Sequence, residues 1–201
     1  MCIRDRGLRW VIDPIDGTTN FVYGHPGYSV SVAAEVAMPS DASGPATTMV
    51  GVVADIVAGD LFWAQAGGGA FRNGDAISAT TIDVMNRALV ATGFNYLPEV
   101  RSDQARVLGE ILPAVADIRR MGGCAVDLCS VAMGRVDAYF ERGVQPWDHA
   151  AGGLIATEAG AVVANLRGGG PDSTMCLAAG PALFEQLSSR LRALNADPSS
   201  D

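Results

Sequence analysis

The stretch Trp10–Phe21, WVIDPIDGTTNF, sets two aspartates three positions apart at the end of an apolar run. Leu8–Ile12 reads as a short buried strand, stopped by Asp13-Pro14. Pro14 fixes the turn between the acids, so Asp13 and Asp16 can point the same way. Two unpaired carboxylates held that close repel each other, which makes a divalent cation their natural partner. Hard oxygen donors suit Mg²⁺, and the carbonyl of Ile15 can add one more. Gly17-Thr18-Thr19 then offers successive backbone N–H groups at a predicted helix start, where an anion is favoured. Metal ligands followed at once by an anion nest suit a phosphate held through Mg²⁺. Taken alone, the same residues also read as an Asx turn with a helix cap.

Downstream of this stretch, Tyr28–Ala37 alternates as a strand, and MPSDASGPATT (38–48) is a polar turn. Met49–Ala58 is a third strand, expected to pair with Leu61–Gln65 across Gly59-Asp60. GGGAFRNG (67–74) reads as a tight hairpin with an Asn-Gly turn. This half is expected to be an antiparallel sheet. Past Ala88 the texture changes to alternating strands and helices. Ala88–Thr92, Val136–Phe140, Ala161–Ala164 and Met175–Ala178 read as strands. A helix capped by Ser102 runs towards Ile111, with Pro113 near its end. Further helices are Cys124–Met133 closed by Gly134, Asp148–Ala159 ended by Gly160, and Pro181–Leu194. That alternation predicts a more parallel sheet in an α/β chain whose N-terminal half is α+β. Residues 8–87 and 88–195 form the two halves, and 196–201 a tail. Met1–Gly7, MCIRDRG, reads as a non-native leader resembling translated adapter sequence, with no element predicted before Leu8.

Composition narrows the function classes. The 201 residues are 49% hydrophobic and 18% charged, with 24 glycines and 6% aromatics, which suits close-packed α/β layers. Net charge is −8 and no Lys/Arg-rich run occurs, so nucleic-acid binding is not expected. An acidic protein still takes an anionic substrate when metal cations lie between them. Cys2, Cys124, Cys129 and Cys176 include no CxxC pair and read as small buried thiols. There is no apolar stretch of about 18 residues and no secretory segment, so a cytoplasmic protein that does not span a membrane is expected.

A second stretch, DAYFERGVQPWDHAAGGLIATEAGA (137–161), carries Asp148 at the start of an Ala/Gly-rich helix. Asp148 reads equally as an N-cap or as a third metal ligand. Glu141 ends a strand seven positions earlier and could accept hydroxyl protons from a polyol.

Together with WVIDPIDGTTNFVYGHPGYSVSVA (10–33), ATGFNY (91–96) and RRMGGCAVDLCSVAMGRVDAYFE (119–141), this stretch resembles the inositol monophosphatase family, close to its bacterial members. The resemblance covers nearly all of Leu8 to Leu194. It implies a layered αβαβα sandwich, lacking here its first helices. It also implies Mg²⁺-dependent hydrolysis of inositol monophosphate by a metal-activated water, without a covalent phosphoenzyme. By resemblance Asp13 bridges two metals, Ile15 gives its carbonyl to one, and Asp16 and Asp148 bind the second. Gly17 and Thr18 give the phosphate-binding amides, and the Thr18 hydroxyl helps orient the attacking water. Glu141 hydrogen-bonds an inositol hydroxyl. Cys124 stands where the family has a small residue that meets the substrate through its backbone. His25 and His149 need no catalytic role.

The family also forms homodimers and is inhibited by Li⁺. Relatives act on fructose 1,6-bisphosphate, histidinol phosphate or 3′-phosphoadenosine 5′-phosphate, and a non-catalytic phosphate-ligand or protein-binding module is a further alternative. The family has an upstream glutamate ligand and N-terminal helices over its first sheet. Only twelve residues precede Asp13, with Asp5 their one acid. At about 3.3 Å per residue Asp5 lies roughly 25 Å along an extended strand from Asp13. The 201 residues are thus expected to be a fragment that binds Mg²⁺ weakly and turns over little.

Overall fold

The computed structural model describes residues 2–5, 7–36 and 46–197, the first four as backbone. Most of the expected polar turn at 38–48 lies outside them. Among the described residues the chain builds two sheets and five α-helices. The first sheet contains β1 (Cys2–Asp5), β2 (Leu8–Asp16), β3 (Ser29–Val36), β4 (Thr47–Asp55), β5 (Asp60–Gln65), β6 (Ala70–Arg72) and β7 (Asp75–Ile77). Its seven strands follow sequence order and are antiparallel throughout. β1 pairs with β2 where no element was predicted.

Local chemistry explains the strand ends. β4 stops at Asp55 because its carboxylate accepts the amides of Val57 and Ala58, at 3.1 and 3.0 Å. β6 and β7 join through Asn73 and Gly74, both at positive φ (53° and 94°), the twist a two-residue hairpin requires. β2 does not end at Asp13-Pro14. It continues to Asp16, with its register against β3 broken between Asp13 and Asp16. That irregularity presents both acids at one edge.

The second sheet has the order β11 (Val162–Ala164), β12 (Cys176–Ala179), β10 (Ala138–Glu141), β8 (Leu89–Thr92), β9 (Asp117–Arg119). β8, β9 and β10 are parallel, whereas β12 runs antiparallel to β10 and β11. The sheet is therefore mixed. β9 was not predicted, because three residues with two charged ends carry too little alternation.

The helices are α1 (Thr18–Tyr23), α2 (Pro98–Ile111), α3 (Cys124–Ala132), α4 (Pro146–Glu158) and α5 (Pro181–Ala193). α2 begins four residues before Ser102, with Leu97 at its N-cap and Pro98 fixing φ in the first turn. Asp148 is likewise not an N-cap. α4 starts at Pro146 and Asp148 is its third residue, accepting the Gln145 amide at 2.6 Å.

α3 and α4 lie between the two sheets, and α5 packs on the far side of the second. A helix enclosed on every side needs small residues. A Cβ on Gly51 of β4 would sit 2.7 Å from the Ala151 carbonyl, and one on Gly152 would sit 2.9 Å from Leu128 Cβ. Behind the second sheet, Leu183, Leu187 and Leu191 of α5 repeat at helical spacing and are wholly buried beside Leu177. Each such side chain contributes about 1.5–3 kcal/mol by its burial.

Candidate functional site

The irregular end of β2 meets the N-termini of α3 and α4, and these elements, with the end of β10 and the segment after β8, line a cavity of about 390 Å³. Its lining includes Asp13, Ile15, Asp16, Gly17, Thr18, Cys124, Glu141 and Asp148. Thr19 adjoins it, with its hydroxyl 3.5 Å from that of Tyr96. The chain thus brings together all the residues singled out from sequence.

Each carboxylate of the cluster is held by the backbone. Asp13 accepts the Ile15 amide at 3.0 Å. Asp16 reaches across the fold to the first turn of α3, accepting the amides of Cys124 and Ala125 at 3.2 and 3.0 Å and the Ser29 hydroxyl at 3.3 Å. It serves α3 as a cap supplied from another element. Asp148 is fixed by Gln145. One oxygen from each of Asp13, Asp16 and Asp148 lies within 4.8 Å of the others.

That proximity shows in their acidity. Burial first, then the charges of Asp148, Asp13 and Glu141, push Asp16 up to about 7 against the pull of the Ala125 amide. Burial and the neighbouring Asp13 push Asp148 up to about 6, against the pull of the Gln145 amide. Three hard-oxygen donors that repel one another when ionised fit a divalent cation such as Mg²⁺.

Beside the cluster, Gly17 takes a left-handed φ of 82° and opens α1. A Cβ there would meet the Gly27 carbonyl at 2.6 Å. The first amides of α1 have no acceptor within the helix, and Gly17 and Thr18 line the cavity as potential anion donors. The Thr18 hydroxyl donates to the Ile15 carbonyl at 3.0 Å, leaving its oxygen free to accept. On the opposite wall, Glu141 accepts the Tyr139 hydroxyl at 2.8 Å. Burial raises Glu141, offset by that bond and by Arg120.

Cys124 contributes in a way the sequence did not suggest, because its amide is already given to Asp16. Burial, with Cys176 alongside, pushes its thiol well up, so it keeps its proton and offers no nucleophile. Cys129 and Cys176 are buried free thiols as expected. His25 is exposed at the edge of a neighbouring cavity. His149 is turned from the acid cluster into a larger groove with Asp172, and burial pushes it down to about 4. Neither adds a base to the site.

Sequence reasoning passed over the residues that hold these groups in place. The Asn20 amide nitrogen lies 2.8, 3.1 and 2.6 Å from the carbonyls of Pro26, Gly27 and Met121, clamping α1 against the loop before α3. The burial of Asn20 within an otherwise exposed six-residue helix is visible only in the structure. Ser29, Gln145 and Tyr139 carried no signal beyond their strand or turn positions.

The model of the inositol monophosphatase family matches residues 2–195. The inositol-1-monophosphatase of Mycobacterium bovis is 44% identical over 194 residues, covering 94% of this chain and 64% of that protein. The chain therefore spans under two thirds of that relative's length. The Nus factor SuhB of Vibrio cholerae is 42% identical over 167 residues, covering 83% of this chain and 60% of that protein. Among solved structures, Mycobacterium tuberculosis SuhB superposes with a TM-score of 0.83 at 44% identity, covering 94% of this chain and 74% of that one.

Proposed function

The chain belongs to the inositol monophosphatase family, and on that premise we propose that the protein hydrolyses phosphate monoesters, inositol monophosphate first among them, with Mg²⁺ as cofactor. The observation that carries this reading is the convergence of Asp13, Asp16 and Asp148 within 4.8 Å beside the open amides of α1. Asp13, Asp16 and Asp148, with the Ile15 carbonyl, would hold the metal. When bound, Mg²⁺ supplies charge neutralisation and acidification of the attacking water. The amides of Gly17, Thr18 and Thr19 bind and orient the phosphoryl oxygens. The Thr18 hydroxyl, which donates its hydrogen bond to the Ile15 carbonyl, can accept a hydrogen bond from the incoming water and so aim it. Glu141 accepts a hydroxyl of the alcohol portion. No side chain is needed as a covalent nucleophile.

The reading extends to a homodimer, inhibition by Li⁺ and a place in the cytoplasm. No described helix is long and apolar enough to cross a membrane. The test is phosphate release with Mg²⁺ from inositol 1-phosphate, fructose 1,6-bisphosphate, histidinol phosphate and 3′-phosphoadenosine 5′-phosphate. Fastest release from inositol 1-phosphate supports the proposal; a clear preference for another ester reassigns the substrate.

A relative at 42% identity that is named a Nus factor favours one second reading, a binding module on the same fold. Uptake of Mg²⁺ and inositol phosphate with no phosphate released would select it.

A further inference from the structure

Tyr139 is wholly buried between the sheets, and its two strand neighbours are small, Ala91 on β8 and Ala178 on β12. It shares a sheet face with Glu141, two residues on. Its hydroxyl gives Glu141 Oε2 a 2.8 Å hydrogen bond, its one hydrogen bond among the described residues. Burial and the neighbouring Cys124 and Glu141 push the phenol up, so it stays a donor. From the other side Gly93, which follows β8, leaves Glu141 its space. A Cβ on Gly93 would overlap both Oε2 and Cδ of that carboxylate. Glu141 is thus pinned between a phenol and a bare stretch of backbone. Its Oε1 takes no hydrogen bond from a described residue, although Glu141 lines the cavity. Nor does Glu141 belong to the cluster of three aspartates. A pinned carboxylate with one oxygen unused, set apart from the metal-type acids, is an acceptor for a hydroxyl of the ligand.

We propose that Tyr139 is a positioning residue that fixes Glu141 so that the site selects phosphate esters whose alcohol carries a further hydroxyl. The inference rests on reading the site as one for phosphate monoesters. An ester lacking the hydroxyl would leave a desolvated carboxylate oxygen unpaired, which is the kind of mismatch that discriminates strongly.

The test is the ratio of kcat/KM for inositol 1-phosphate to that for p-nitrophenyl phosphate, whose alcohol has no further hydroxyl. Tyr139→Phe keeps the buried ring and removes only the donor. The ratio should fall about tenfold, through KM for inositol 1-phosphate, as expected for a bond to a charged group. Gly93→Ala should move it the same way. A role in folding alone would lower both substrates together, and an unchanged ratio overturns the inference. Should the unsubstituted protein release phosphate from neither ester, the hydrolytic reading falls by itself. Calorimetric titration with inositol 1-phosphate in Mg²⁺ then decides: about tenfold weaker binding to Tyr139→Phe supports the inference, and equal affinity overturns it.

Discussion

In the first sheet every strand lies beside its sequence neighbour, and one face shows Trp10, Val50, Leu61 and Trp63 as exposed residues. In the second, strands cross over in the order β11-β12-β10-β8-β9, and β12 is buried along its whole length. The two regions also contribute differently to the site. The first sheet delivers Asp13, Asp16 and the open amides within a few residues of one another. The second delivers Glu141 from a strand, and the helices beside it bring Cys124 and Asp148 from separate starts. A compact motif is thus completed by groups whose placement depends on packing between two sheets.

The sharpest way to break that comparison is to remove the local contribution alone. Asp13→Asn keeps the strand end but removes a charge. Turnover should fall at least about a hundredfold, since even the outer partners of metal ligands cost about 10–100-fold when changed. Thermal unfolding should shift little, and near-normal phosphate release would show that the β2 acids are not the metal site. Next in size is a test of the second sheet. Leu177→Ala, in fully buried β12, should cost about 2–5 kcal/mol by denaturant unfolding. A smaller loss would mean that this core collapses around the gap.

Acidity joins the two regions. Asp16 and Asp148 stand at about 7 and about 6 in the folded chain, against roughly 3.9 when unfolded. Through these two acids the folded state holds more protons in that window, so their contribution to stability falls as pH rises from about 4 to about 7. His149, pushed down by burial to about 4, opposes this in part, favouring the folded state as pH rises through the ordinary imidazole range. Without metal, the melting temperature should be higher near pH 5 than near pH 8, and Mg²⁺ should recover most of the loss at the higher pH. Asp60 and Asp172 shift the other way: burial raises each, but bonds from Arg72 and Asn73, or from Thr174 and Asn165, outweigh it. Their contribution is lost only in more acid solution, as pH falls through their lowered values. A melting temperature that climbs from pH 5 to pH 8 without metal would contradict the raised acids. The smallest effect is expected on the open face, where Leu61→Gln should change stability by no more than about 0.5 kcal/mol. A larger loss would show that this face is covered in solution.

The same contrast governs what could be read from the residues. The meander of the first sheet was legible because alternation and turn residues are local signals. Asn73-Gly74 fell where expected, and the strand expected at Leu61–Gln65 formed from Asp60, its partner ending at Asp55 rather than Ala58. β9 and the start of α2 were not, since a three-residue strand is made by its partner and Pro98 outranks Ser102 as a helix start. Asp13, Asp16 and Asp148 could be named as candidates from their spacing and neighbours. That Asp16 receives two amides of α3, or that Glu141 rests on Gly93, could not be read, because those contacts join segments far apart in sequence.

The distance along the chain between Asp16 and the α3 amides, 108 and 109 residues, has a consequence for how the molecule forms. Closing so long a loop is slow and is rewarded only when both ends are already structured. A chain emerging during synthesis presents Asp13 and Asp16 well before the residues of α3 and α4 exist. A cation then finds two carboxylates of three and gains little by staying. On the proposed reading, metal binding would accordingly reward the last step of assembly rather than the first. Added Mg²⁺ would slow unfolding of the finished protein far more than it speeds refolding.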